Sequence, residues 1–331
     1  MSMIAWVVVA LSSQAGSYMS VNTPQKLYRY RPLTPELFQR EVETLRQSYL
    51  YAAPFASMND PMEAFYETGS SSDRLVNDLY GMLRSTTANF ALVSFSATSG
   101  DLPLWAYYAS NFAGMCLEFD TGLLSVGDFQ NEGLHPVTYA LEPLPPLDLA
   151  SVAETKGIVA RICRKRSEWA HEKEWRYVTG TAGPKHYLDD ALTRVFLGPR
   201  VAPEHAKAVC DALKSRPVEV LQGHIDAYRL TFETLQSPCP LSDCERVGAG
   251  TCDPDSDWFA EEELRSFLGT RFDELVDLCS KLAKRPNMEG FSTIAMASGE
   301  PPRICVVTIY RLRGGGRVYD RAYLSKELGT A

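Results

Sequence analysis

Apolar positions along the chain fall into short runs cut by turn residues, with helical stripes between them. "KLYRYRPL" (Lys26 to Leu33) reads as a strand stopped by Pro32. Thr34 then caps a helix with Leu37, Phe38, Val42 and Leu45 on one face. "LYAAPFASMNDPMEAFYE" follows as a short strand and a turn at Asn59-Asp60-Pro61. Ser72 or Asp73 heads an amphipathic helix through Leu75, Val76, Leu79, Tyr80 and Leu83. "NFALVSFSAT" is a strand of the buried kind, "LPLWAYYASNFA" a helix, and "GMCLEFD" a strand again. "LHPVTYALEPLPPLDL" runs from strand into a proline-rich loop, and a helix is expected from about Ser151 to Ala170. "RVFLGPRV", "PEHAKAVCDALKS", "VEVLQ" and "AYRLTFETL" then give strand, helix, strand, strand.

Near Leu235 the pattern changes. "QSPCPLSDCERVGAGTCDPDSD" is rich in Pro, Ser, Gly and Asp and reads as a linker. Beyond it come a helix from about Trp258 to Lys284, broken near Gly269, and the strand "FSTIAMAS". Two alternating strands follow about the Gly314-Gly315-Gly316 turn. The expected organisation is a loose extension over 1–19, an α+β domain over 20–235, a linker over 236–257 and a small helix-plus-hairpin domain over 258–331. The fold class is α+β, with a mixed or antiparallel core sheet, flanking helices and a small C-terminal α+β domain.

Composition narrows the function more than it changes the fold. A net charge of −8 over 331 residues argues against non-specific binding to nucleic acid or anionic membranes as the main activity. Arg161, Arg164, Lys165 and Arg166 form a local basic patch at helical spacing, read as a solvated helix face. Eight cysteines without a C-x-x-C pair fit a reducing cytoplasm. Cys239, Cys244 and Cys252 are irregularly spaced with no histidine nearby, so no metal site is expected. The apolar run Ile4 to Leu11 is too short to span a bilayer.

Four polar-aromatic clusters interrupt the apolar strands: Tyr28-Arg29-Tyr30-Arg31, Asn59-Asp60-Pro61-x-Glu63, Ser94-Phe95-Ser96 through Trp105-Ala106-Tyr107-Tyr108, and Trp169 through Arg176. In "SEWAHEKEWRYV" a strand from Glu172 would put Glu172, Glu174 and Arg176 on one face and Lys173, Trp175 and Tyr177 on the other. Two readings compete: an ion-pair ladder beside a hydrophobic anchor, or carboxylates that do chemistry. A third reading, Asn59, Asp60 and Glu63 as ligands for a divalent metal, lacks a His/Asp pair at useful spacing. His186 beside Asp189 and Asp190 in "PKHYLDD" reads as plain surface. Phosphate-loop, dinucleotide-fingerprint, nucleophile-elbow and zinc-protease motifs do not occur.

In order, "LYRYRP", "NDPME", "LVSFSAT", "LPLWAYYASNFAGMCLEFD", "SEWAHEKEWR" and "VFLGPRV" resemble the bacterial domain-of-unknown-function family 2971 over residues 26–230. Met58 and Met62 replace that family's usual phenylalanines, and Tyr107 its usual histidine, which puts activity in question if that histidine is essential. The motif order is also similar, more weakly, to the mono-ADP-ribosyltransferase superfamily. That resemblance implies NAD as substrate. It assigns catalysis to Glu174, with Glu172 as partner and Arg31 as a cation, and NAD binding to Arg29, Tyr30, Asn59, Asp60, Ser94, Ser96, Trp105 and Tyr108. A carboxylate under the ribose stabilises the oxocarbenium-like charge, serines hold the ribose, and Trp105 or Tyr108 stacks on nicotinamide. The implied function is a cytoplasmic ADP-ribosyltransferase or NAD glycohydrolase of the toxin or phage-defence kind. Its acceptor would be a protein or nucleic acid, and an antitoxin or defence partner would meet the C-terminal domain. The alternative is a non-catalytic sensor that binds a ligand or protein in a groove lined by Trp105, Tyr108 and Trp169. The two part on geometry: a transferase needs Arg29 or Arg31, Ser94 and Glu174 converging on one cleft wide enough for a dinucleotide, whereas a scaffold would leave them on different faces.

Overall fold

The computed structural model describes residues 23–60, 62–63, 78, 81, 85–130, 133–145, 155–253, 255–256 and 258–329. The extension 1–19 and the apolar positions of the helix headed by Ser72 or Asp73 lie outside these. In chain order the elements of the first part are β1 (Lys26–Arg31), α1 (Pro35–Arg46), β2 (Tyr49–Pro54), β3 (Ala91–Ser96), α2 (Leu102–Tyr108), β4 (Met115–Asp120), α3 (Thr121–Leu124), β5 (Gly133–Pro136) and β6 (Thr138–Ala140). Then come α4 (Thr155–Ile162), β7 (Arg164–Arg166), β8 (Glu174–Thr179), β9 (Gly183–His186), β10 (Leu192–Leu197), α5 (Pro203–Leu213), β11 (Glu219–Asp226) and β12 (Arg229–Gln236).

Among the described residues, ten strands make one mixed sheet in the order β12-β11-β10-β4-β1-β3, where it forks. One branch runs along the whole of β3 through β8 to β5. The other meets β3 only at Leu92 and Ala91 through β2, which carries β9. Most ladders are antiparallel; β10 and β11 are parallel, and α5 supplies the crossover that a parallel pair needs. Strand β1 is in register with β4 from Lys26↔Asp120 to Arg31↔Met115, yet shares a single pair with β3, Tyr28↔Ser96. Past that pair β1 and β3 part, and the residues flanking the gap become the site.

Period-two alternation sorts the apolar residues onto the two sheet faces. Leu27, Leu117, Phe119 and Val195 lie in one core, whereas Tyr30, Cys116 and Phe196 pack with Leu104 and Trp105 in another. The first core continues without a break into Leu264, Leu275, Ile294 and Val306 of the C-terminal part. There α6 (Glu261–Leu268) and α7 (Phe272–Ala283) cover an antiparallel sheet β13-β14-β15 (Met288–Ala297, Arg303–Arg311, Arg317–Leu324). The break expected near Gly269 is there, at a φ of 59° that favours glycine, and the Gly315 turn has a φ of 85°. The expected linker is tied at several points, with Cys239 N–H donating to the Arg216 carbonyl and Val247 N–H to the Pro286 carbonyl. No helix among the described residues is long and apolar enough to cross a membrane.

The expected helix from Ser151 to Ala170 needs correction. Helix α4 ends at Ile162, Arg164–Arg166 form β7 against β6, and Ser167–Glu172 wind as a short 3-10 turn. Lys173, at a φ of 46°, turns the chain into β8. The reason lies in burial. Arg161 and Lys165 are 5% and 8% exposed, so only Arg166 and part of Arg164 in the basic run face solvent. Buried partners for Lys165 override the helical spacing of its neighbours.

Candidate functional site

Strand β8 pairs with β3 so that Arg176 lies opposite Ser94 and Glu174 opposite Ser96. With the residues beside the β1–β3 gap they line a cavity of about 300 Å³. Arg29, Arg31, Ser94, Ser96, Glu172 and Glu174 all border it, as do Tyr30, Asn59, Asp60, Tyr108 and Trp169. Arg29, Ser94 and Glu174 therefore border one cavity.

The wall is a network of buried charge. The Arg176 guanidinium, 1% exposed, forks onto Glu174 at 2.7 and 2.9 Å and onto Glu63 at 2.8 and 2.9 Å. The same side chain also reaches the Ile162 carbonyl. Lys165 donates to Glu172 at 2.6 Å and lies 2.8 Å from Glu174 and 3.4 Å from Glu63. The Tyr108 hydroxyl donates to the other Glu172 oxygen at 2.9 Å. Three carboxylates thus share two cations, leaving one excess negative charge on this wall. Burial pushes the Glu174 carboxyl up, but Arg176 and Lys165 outweigh it and hold it at about 2. Burial works against the Lys165 ammonium, and the surrounding carboxylates still leave it above the usual lysine range. Burial and then Glu172 raise the Tyr108 hydroxyl, so it stays a donor.

The opposite border carries Arg29, which donates to the Ser94 carbonyl at 2.7 Å where the β1–β3 ladder has stopped. Its Nε is buried and has no acceptor among the described residues. Burial and then the nearby Arg31 lower its proton affinity, outweighing Glu41 and Glu174, which raise it. Arg31 differs: its guanidinium forks onto the fully buried Glu41 at 2.7 and 2.5 Å. It borders the cavity with its charge already compensated by Glu41. The Ser94 hydroxyl has no hydrogen-bond partner among the described residues, so it is open to a ligand. Ser96 Oγ, in contrast, donates to the Glu172 carbonyl at 2.7 Å and accepts from Thr98 N–H at 3.1 Å. Its work is to fix the turn that carries Glu172.

Tyr30 reaches the Thr98 carbonyl at 3.0 Å and packs edge-on to Trp105. Asp60 accepts from Met62 N–H at 2.9 Å through Oδ1, while Oδ2 is buried without a partner among the described residues. Trp105 does not reach the cavity. It is fully buried, its indole N–H donates to the Ser99 carbonyl at 2.9 Å, and its ring stacks on Phe112. The expected stacking of Trp105 on a ligand is thereby corrected to a core role. Trp169 is the tryptophan at the cavity, its ring 5.5 Å from Lys165 Nζ. Tyr107 is 66% exposed and lies outside the lining. Sequence reasoning missed Lys165 at the site, offered Glu63 in a polar cluster and as a metal ligand, and put Arg176 in an ion-pair ladder with Glu172 and Glu174, of which the Arg176–Glu174 pair is present. Among the described residues, no group of three or more His, Cys, Asp or Glu side chains is placed to hold a metal ion.

Residues 104–177 match the model of a family described as protein of unknown function (DUF2971). The matched stretch runs from α2 into β8 and brings Tyr108, Lys165, Trp169, Glu172, Glu174 and Arg176 to the cavity, while Arg29, Asn59 and Ser94 come from outside it. No curated protein and no solved structure matches the chain. The resemblance to mono-ADP-ribosyltransferases has no counterpart among these findings.

Proposed function

We propose that the cavity cleaves the nicotinamide–ribose bond of NAD, as an NAD glycohydrolase or an ADP-ribosyltransferase. The observation that carries this reading is the polarity of the cavity. An under-partnered guanidinium, Arg29, stands at one border, and a wall with excess carboxylate, Glu172 with Glu63 and Glu174, stands at the other. NAD is matched to such a gradient, with diphosphate at one end and a cationic ring on the reacting ribose at the other.

Arg29 takes a phosphate, the Ser94 hydroxyl a ribose hydroxyl, and Trp169 the nicotinamide ring. The glycosidic bond breaks heterolytically, nicotinamide leaves with the electron pair, and the ribose C1′ becomes oxocarbenium-like. Glu172 stabilises that charge. Glu174 is less suited, because it takes three contacts from cations, two from Arg176 and one from Lys165, whereas Glu172 takes one from Lys165 and one from the neutral Tyr108 hydroxyl. It positions the cations that in turn hold Glu172. Water or an acceptor nucleophile then bonds to C1′ and gives up its proton to Glu172 or solvent. A protein or nucleic-acid acceptor, and a setting in toxin or phage-defence systems, belong to the same proposal.

The test follows nicotinamide release from NAD by chromatography, with and without cell lysate as a source of acceptors. Wild type is expected to release nicotinamide and Glu172→Gln to do so about 100-fold more slowly. No release from wild type under either condition overturns the catalytic reading. The saturated Glu174 favours the remaining alternative, a sensor that binds its ligand without cleaving it; NAD raising the melting temperature of wild type with no nicotinamide formed is its signature.

A further inference from the structure

Three strands of the large sheet have a single neighbour among the described residues: β5, β9 and β12. Strands β5 and β9 have four residues each, and each holds a proline, Pro136 and Pro184. Short edges that carry proline resist further pairing. Strand β12 has eight residues and no proline, and its hairpin with β11 exposes Ile225, Tyr228 and Leu235. The two-residue tip Ala227-Tyr228 closes on the pair Asp226↔Arg229. Such a closing pair is hydrogen-bonded, and bonding alternates along the ladder. Leu230 and Phe232 therefore aim their N–H and C=O groups away from β11, at the open edge. The ladder is regular from Arg229 to Thr234 and shifts register beyond it, leaving Leu235 without an opposite residue. Charge along the regular stretch is self-complementary. Arg229, Thr231 and Glu233 are exposed on one face, with the threonine midway between the charges. Arg229 has no ion-pair partner among the described residues, and Glu233 has His224 at 3.7 Å, a counter-charge only when the histidine is protonated.

We propose that two copies of this chain pair antiparallel through β12, about a two-fold axis at Thr231, and so join their large sheets into one. In that register Arg229 of each copy stands opposite Glu233 of the other, and Leu230 exchanges main-chain hydrogen bonds with Phe232. The axis is perpendicular to the sheet, so Arg229, Thr231 and Glu233 of both copies share one face, and Leu230 and Phe232 share the other. An axis at Phe232 would set Arg229 against the unpaired Leu235, and an axis at Glu233 would bring two carboxylates together. The charges therefore choose the register. Both copies spend the same edge, and β5 and β9 are blunted, so association stops at the dimer. This pairing does not rest on the NAD reading.

The experiment is sedimentation equilibrium of the full chain over about 1–200 µM. One strand pair is a small interface, so wild type is expected to dimerise with a Kd on the order of 10 µM. Arg229→Glu sets two acids opposite each other on both sides of the axis and is expected to weaken the dimer at least about tenfold. Adding Glu233→Arg to it exchanges the charges and is expected to restore the dimer to within about threefold of wild type. Thr231→Lys brings two ammonium groups together at the axis and is expected to leave only monomer. The three positions are exposed, and a melting curve for each variant shows that the fold is kept. A wild type that stays monomeric over the whole range overturns the proposal and leaves a strand of another protein as the occupant of this edge. A dimer that Arg229→Glu and Thr231→Lys leave unchanged, or one that the exchanged charges do not recover, overturns it as well.

Discussion

At the cavity, Glu63, Glu172 and Glu174 share Lys165 and Arg176; at the seam between the large sheet and the C-terminal strands, Asp189, Asp190 and Glu245 meet Arg216, Arg285 and Arg313. The second set pairs three acids with three arginines. Asp189, fully buried, accepts from Ser48 Oγ at 2.7 Å, from Arg216 at 2.7 Å and from Arg313 at 2.8 Å, and its own N–H donates to Asn287 at 2.7 Å. Each donor comes from a different segment, so Asp189 ties the turn after α1, the turn after α5 and the β14–β15 turn to one point. The first set keeps a surplus carboxylate and opens onto a cavity. Balanced buried charge serves to lock segments together, whereas an unbalanced set beside a cavity is poised for a cationic partner.

Breaking the second set should cost most. Asp189→Ala leaves Arg216 and Arg313 buried without their shared counter-ion and is expected to lower stability by about 3–5 kcal/mol, read by urea unfolding. Next comes acidity, where two carboxylates respond with opposite sign. Glu174 is held at about 2, below its ordinary 4.5, so its contribution to stability is present above pH 4.5 and lost as pH falls toward 2. Asp320 in β15 is pushed up to about 6 from 3.8 by burial, with Oδ1 lacking a partner among the described residues. Its contribution is present below pH 3.8 and lost as pH rises through 6. Unfolding midpoints across pH should show a loss of about 2 kcal/mol near pH 6 that Asp320→Asn removes. The smallest effect is expected from Tyr108→Phe. It deletes one hydrogen bond to Glu172, costing about 1 kcal/mol in unfolding experiments and slowing nicotinamide release a few-fold.

What was legible in the sequence was mostly local. Alternation placed the strands of the α+β core, Gly269 marked a helix break, and the in-order motifs put Arg29, Ser94 and Glu174 at one cavity. The losses came where partners distant in sequence decide a residue's fate. Lys165 sits at helical spacing from its basic neighbours, and only Glu63, some hundred residues earlier, and the turn at Lys173 explain why it is buried in an extended segment. Arg31 carries the same charge as Arg29, but Glu41 on α1 claims one and not the other. Trp105 and Trp169 are the same residue type in similar aromatic settings. The first is sealed by Phe112 and Tyr30, and the second borders the cavity. Asp189, read as surface beside His186, is buried because Arg216 and Arg313 arrive from later in the chain.

The central claim is that the cavity's charge network does chemistry at Glu172 and structural work at Glu174. Substituting each by glutamine separates these. At position 172 an amide satisfies its surroundings, its oxygen accepting from Lys165 and its NH₂ donating to the Tyr108 hydroxyl. At position 174 every neighbour is a donor, Arg176 Nε and Nη2 and Lys165 Nζ, so an amide NH₂ faces N–H groups. The decisive measurement is the melting temperature and the nicotinamide release rate of Glu172→Gln and Glu174→Gln side by side. The expected result is that Glu172→Gln melts within a few degrees of wild type, about 1 kcal/mol or less, yet loses release about 100-fold, whereas Glu174→Gln loses about 3 kcal/mol of stability. Equal destabilisation of the two variants, with release tracking only the folded fraction, would contradict the account and leave the glutamates as a structural ladder.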